Sequence, residues 1–145
     1  MEGYTSRRLV TSVALAALLA VASVAPAATQ DRAYVASQCD NAAFKPKMIV
    51  LACGDAGLAA TKLQWKSWGT SSAAGAGTGR VELCEPSCAE GKVARAPMRI
   101  VLSKPRLCPQ DGKRHFTRAR YTWADTVPTG PKSGTIPLPC SLLED

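Results

Sequence analysis

Beyond residue 45, polar and apolar residues mostly alternate singly, and no segment keeps a 3.6-residue apolar period for a dozen residues. Lys62-Leu63-Gln64-Trp65-Lys66-Ser67 predicts a half-buried strand with Leu63 and Trp65 turned inward. Arg80-Val81-Glu82-Leu83 repeats the pattern, and the small-residue stretch Gly69 to Gly79 leads into it, its second half extending that strand. Met48 to Cys53 is a short apolar run closed by Gly54, Asp55 and Gly57, as in a buried strand. Val93 to Ser103 contains a further strand around Met98 to Leu102, with Pro97 placing its start near an edge or bend. After a turn-rich connection from Pro105 to Gly112, residues His115 to Trp123 alternate again. Arg118 and Arg120 fall on one face, and Ala119, Tyr121 and Trp123 on the other. Four prolines between Pro128 and Pro139 leave room only for a short edge strand around Thr135 to Leu138. The expected fold class is all-β: a small disulfide-stabilised sandwich or open barrel of five to seven strands.

The N-terminal pattern is different. Arg7 and Arg8 precede an uncharged Ala/Leu/Val run from Leu9 to Val24 that ends in Ala25-Pro26-Ala27. This is the order of a secretory leader, and roughly 16 apolar residues fall short of the about 20 that a membrane span needs. Ser6-Arg7-Arg8-Leu9-Val10 is only a weak twin-arginine signal. The first cysteine, Cys39, lies too far downstream for a lipid anchor. The expected organisation is a signal peptide over 1–27, an N-terminal arm over 28–45, one β domain over 46–140 and a tail over 141–145. The arm shows no periodicity and has Cys39 as its one anchor. Processed in this way, the protein is expected to be secreted, extracellular and without a membrane span.

Removal of 27 residues from the 145 takes away Arg7, Arg8 and Glu2, so the formal net charge falls only from +7 to +6. All six cysteines, Cys39, Cys53, Cys84, Cys88, Cys108 and Cys140, remain. An even count in an exported chain predicts disulfides, which help a domain of this size whose core is modest. The competing metal reading rests on the close pair Cys84 and Cys88, but a zinc site needs a second hook and the chain has a single histidine, His115. No metal or cofactor is expected.

Candidate chemistry is sparse. Gly75-Ala-Gly77-Thr-Gly79 lacks the Gly-Lys-Ser/Thr ending, helix and βαβ unit of a phosphate loop, so nucleotide binding is set aside. His115 lies among Lys113, Arg114 and Arg118, a poor setting for the imidazolium that a Ser–His pair must form, and no Gly-x-Ser-x-Gly elbow is present. Paired-carboxylate chemistry would have to draw on Asp55, Glu82, Glu85, Glu90, Asp111 or Asp125, with nothing in the sequence to bring two together. The largest single-sign cluster is Lys104, Arg106, Lys113, Arg114, Arg118 and Arg120, opposed by Asp111 alone. It reads either as a solvated face or as a patch for an anionic cell-wall polymer, a membrane surface or an acidic protein. Nucleic acid is disfavoured because Tyr121 and Trp123 fall opposite Arg118 and Arg120. Trp65 is expected in the core. Trp68, beside Gly69 and on the opposite strand face, is expected to be the exposed one and joins Lys113, Arg114, Arg118 and Arg120 as a candidate binding residue.

Pro46 to Asp55, Leu63-Gln64-Trp65-Lys66-Ser67-Trp68-Gly69 and Cys84-Glu85-Pro86-Ser87-Cys88 form the most distinctive part of the chain. Over Pro46 to about Ser103 it resembles a group of small actinobacterial proteins described only as uncharacterised secreted proteins. The resemblance implies no activity, cofactor or catalytic residue. It bears on the cysteines, because Cys108 and Cys140 both lie outside it and are most simply one added bridge. The sequence therefore points to a secreted non-catalytic binding domain acting at or beyond the cell surface. The alternatives are a protease inhibitor presenting Glu85-Pro86-Ser87 on a bridged loop and, less favoured, a small extracellular hydrolase.

Overall fold

The computed structural model describes residues 32–84, 87–126 and 130–140. The leader, the arm before residue 32 and the tail 141–145 lie outside the described residues. Among the described residues all regular structure is strand: β1 (Ala33–Ala36), β2 (Ala42–Ala43), β3 (Ile49–Val50), β4 (Leu58–Trp68), β5 (Ala73–Glu82), β6 (Val93–Cys108), β7 (Lys113–Trp123) and β8 (Ser133–Pro137). Seven of them run β2-β1-β7-β6-β5-β4-β3 in one sheet, and β8 joins beside β7. The fold is thus the open-barrel alternative, a curled, open half-barrel held by three disulfides. Only β1 and β7 pair in parallel; every other pair is antiparallel.

The curl brings the two ends of the sheet together at one corner. The Val50 N–H donates to the Ser37 carbonyl, the Trp68 indole N–H donates to the Ala33 carbonyl, and Cys39 bonds to Cys53. The segment read as a loose arm is therefore part of the domain. Ala33, Val35 and Ala36 are buried, and β1 lies between β2 and β7. Its four residues were too few to show periodicity, and their pairing partner lies some 80 residues further along the chain.

The core fills the concave side, with Leu63 from β4, Met98, Ile100 and Leu102 from β6, and Ala119, Tyr121 and Trp123 from β7. The glycine-rich stretch is strand, and its period-two spacing explains it. Gly75, Gly77 and Gly79 all turn to the concave side, opposite Ile100, Met98 and Ala96. A Cβ at Gly79 would overlap the Trp123 ring, and one at Gly75 would press on the Trp65 ring. The small stripe makes room for two indoles. Pro97 lies within β6, a central strand, rather than at its start. Its carbonyl accepts from the Ala124 N–H just past the end of β7. In an antiparallel ladder the N–H that proline lacks would point the same way, where β7 has already ended.

Candidate binding face and groove

Alternation along β6 and β7 sends Met98, Ile100, Leu102, Ala119, Tyr121 and Trp123 inward and leaves Arg99, Val101, Arg118 and Arg120 outward. The register places Val101 opposite Arg120 and Arg99 opposite Thr122, so Arg99 and Arg120 are diagonal neighbours on the convex face. Arg118 stands two residues before Arg120 on β7. Among the described residues, no carboxylate lies within ion-pair distance of these three guanidinium groups. Sequence reading found Arg118 and Arg120 but missed Arg99. The signal for it was the flanking Met98, Ile100 and Leu102, which force the residues between them outward.

Along β6 and β7 the alternation slips at one level. Phe116 and Ala119, three apart, both face the core, and Lys104 on the neighbouring strand has φ 56°. The Thr117 hydroxyl bonds the Lys104 carbonyl at 2.7 Å across this kink. The slip carries Arg106 round to the side of Arg118. Lys104, Arg106 and Arg118 then line a groove of about 540 Å³ between the end of β6 and the chain after β8, with Leu138 and Cys140 in its wall. The Cys108–Cys140 bridge, Cα to Cα 5.5 Å, fastens that wall.

The other sequence candidates are placed differently. The Lys113 ammonium sits over the Tyr34 ring, 5.2 Å from its centre. Arg114 is exposed at the β1–β7 junction, opposite Leu107, and has interaction partners of its own. Trp68 is half-buried. Register shifts on β4 set Trp65 opposite Gly75 and Trp68 opposite Ala73, two residues apart on β5, so both indoles share the concave face. Their rings meet at 4.5 Å, and Trp68 also packs against Phe44 and Phe116. The expectation of opposite faces assumed an ideal strand, and the bulge between the two removes it. Trp68 is a packing residue rather than an exposed platform.

His115 is buried at 1% exposure, with Nε2 2.7 Å from Asp111 Oδ2, while Nδ1 has no hydrogen-bond partner. The other Asp111 oxygen accepts from the Lys113 N–H. Partial burial pushes the Asp111 carboxyl up, but the Lys113 N–H, the His115 hydrogen bond and the nearby cationic charge outweigh it and hold the carboxyl below 3.8. A depressed folded-state value means the carboxylate stabilises the fold above its unfolded value, and that contribution disappears as pH falls through the depressed one. Asp111→Asn should therefore lower the thermal midpoint near neutrality and flatten its acid limb below about pH 4. Melts of both proteins between neutrality and strong acid check this, and parallel acid limbs would refute it.

Cys84 and Cys88 are bonded to each other and exposed, and no three His, Cys, Asp or Glu side chains group as a metal site among the described residues. Glu85 and Pro86 of the bridged loop lie outside the described residues. No described helix is long and apolar enough to cross a membrane. Comparison with protein-family models, curated proteins and solved structures finds no match.

Proposed function

We propose that this is a secreted, non-catalytic binding domain that holds an anionic cell-wall polymer, or an acidic protein of similar charge, at or beyond the cell surface. The observation that carries the reading is the convex row Arg99, Arg118 and Arg120, exposed and without carboxylate partners among the described residues. Unpaired guanidinium groups keep their forked donors available for carboxylate or phosphate. Three disulfides suit an oxidising compartment, and the leader and the actinobacterial resemblance agree with export. Reversing Arg118 and Arg120 to Glu should abolish salt-sensitive adsorption to purified cell walls. The change in stability should stay within about 0.5 kcal/mol, as for other exposed substitutions. Adsorption that survives the double reversal overturns the reading.

The bond between the exposed Cys84 and Cys88 favours one second reading, an inhibitor of extracellular proteases. Tight inhibition of any member of a protease panel, lost on replacing both cysteines by Ser, would establish it in place of the binder.

A further inference from the structure

The groove beside the Cys108–Cys140 bridge is lined by both charge and hydrocarbon. Lys104, Arg106 and Arg118 supply three cations, while Leu107, Pro109 and Pro137 supply apolar wall. Leu107 is 69% exposed, the most exposed large hydrophobic side chain among the described residues. A solvated charge cluster gains nothing from such a neighbour. About 540 Å³ lies within the range of small-ligand sites, and a lone phosphate or carboxylate would leave most of it unfilled. Proline rings and a leucine offer the C–H surface on which the apolar face of a pyranose packs. No aromatic ring on which a base would stack lines the groove, and Tyr121 and Trp123 on β7 are buried.

We infer that this groove is a subsite for an anionic glycosyl unit, a sugar carrying a carboxylate or a phosphate. Its charged group is held by Lys104, Arg106 and Arg118, and its ring lies against Leu107, Pro109 and Pro137. The inference rests on the polyanion reading and gives it chemical selectivity. The convex row holds charge of any spacing, whereas the groove selects the repeating unit.

The test titrates the disulfide-intact secreted protein with trigalacturonate, glucose 1-phosphate, glucose and inorganic phosphate, following backbone amides by NMR. Shifts are expected at Thr117, Arg118 and Leu138 with at least one of the two sugar acids. That acid should bind about tenfold or more tightly than glucose or inorganic phosphate, and which acid wins identifies carboxylate or phosphate as the source. Lys104→Gln with Arg106→Gln should weaken it by about tenfold or more, the scale of lost charge-assisted hydrogen bonds. Leu107→Ser should weaken it roughly fivefold by removing apolar contact. Inorganic phosphate binding as tightly as the sugar acids would reduce the groove to an ion site and overturn the inference. So would cell-wall adsorption through Arg99 and Arg120 with no groove shifts, which leaves the polyanion reading standing. Loss of both adsorption and groove shifts would overturn the two together.

Discussion

Replacing Cys108 and Cys140 by Ser is expected to cost about 3.7 kcal/mol, the chain-entropy value for a bridge spanning 32 residues, less any native strain. The same estimate gives about 3.0 kcal/mol for Cys39–Cys53, which spans 14, so this bridge is the more stabilising of the two. The thermal midpoint should fall by on the order of 10–15 °C. The loss falls on β8 and the residues after it, which the bridge ties to the β6–β7 hairpin, and trypsin should gain access to Lys132. Leu138 opposes complete release, because it is buried and its N–H donates to the Thr117 carbonyl. The groove should suffer more than the convex row. Pro137, Leu138 and Cys140 form its wall, so binding of a sugar acid should disappear while adsorption through Arg99, Arg118 and Arg120 persists. Thermal scans, timed trypsin digestion and the two binding assays on one protein check all of this. An unchanged midpoint with Lys132 still protected would show that Leu138 docks the tail without help.

The fold class was legible because three of the four long strands carry their own period: β4, β6 and β7 each alternate over enough residues to declare which side is buried. The Cys108–Cys140 pairing also follows the expectation drawn from the resemblance. What escaped depends on contacts that no local pattern encodes. β1 is held by a parallel pairing to β7, the two tryptophans share a face through a bulge, and Arg106 comes to line one groove with Arg118 through a slip at Lys104. A one-residue slip exchanges the faces of every position beyond it, so a correct period with an unseen bulge misplaces whole side chains. The basic cluster was legible as charge, but its division into a convex row, a groove and a residue stacked on Tyr34 was not. Asp111 was visible as the one acid among six bases; its role as the partner of buried His115 required the turn that bends it back.

Trp68→Ala is expected to destabilise the protein by about 3 kcal/mol, the low end for removing a large aromatic from a core, since this side chain is half-buried. The ring touches Trp65, Phe44 and Phe116, so its removal opens a gap where β4, β7 and the segment before β3 converge. It also deprives the Ala33 carbonyl of the indole N–H, 2.9 Å away, and with it a tie between β1 and β4. Trp68→Phe separates the two effects. It keeps much of the ring contact and loses the hydrogen bond, a change of about 1–2 kcal/mol. In that variant the amides of Val35 and Ala36 should exchange with solvent faster than those of β6, because β1 then rests on two residue pairs with each of β2 and β7, on the Val50–Ser37 bond and on Cys39–Cys53. A glycan platform at Trp68 requires the opposite result: weaker binding in Trp68→Phe with stability and β1 exchange unchanged. The shared concave face of Trp65 and Trp68 predicts that cell-wall adsorption is the property left untouched, because the convex arginines stand on the other side of the sheet.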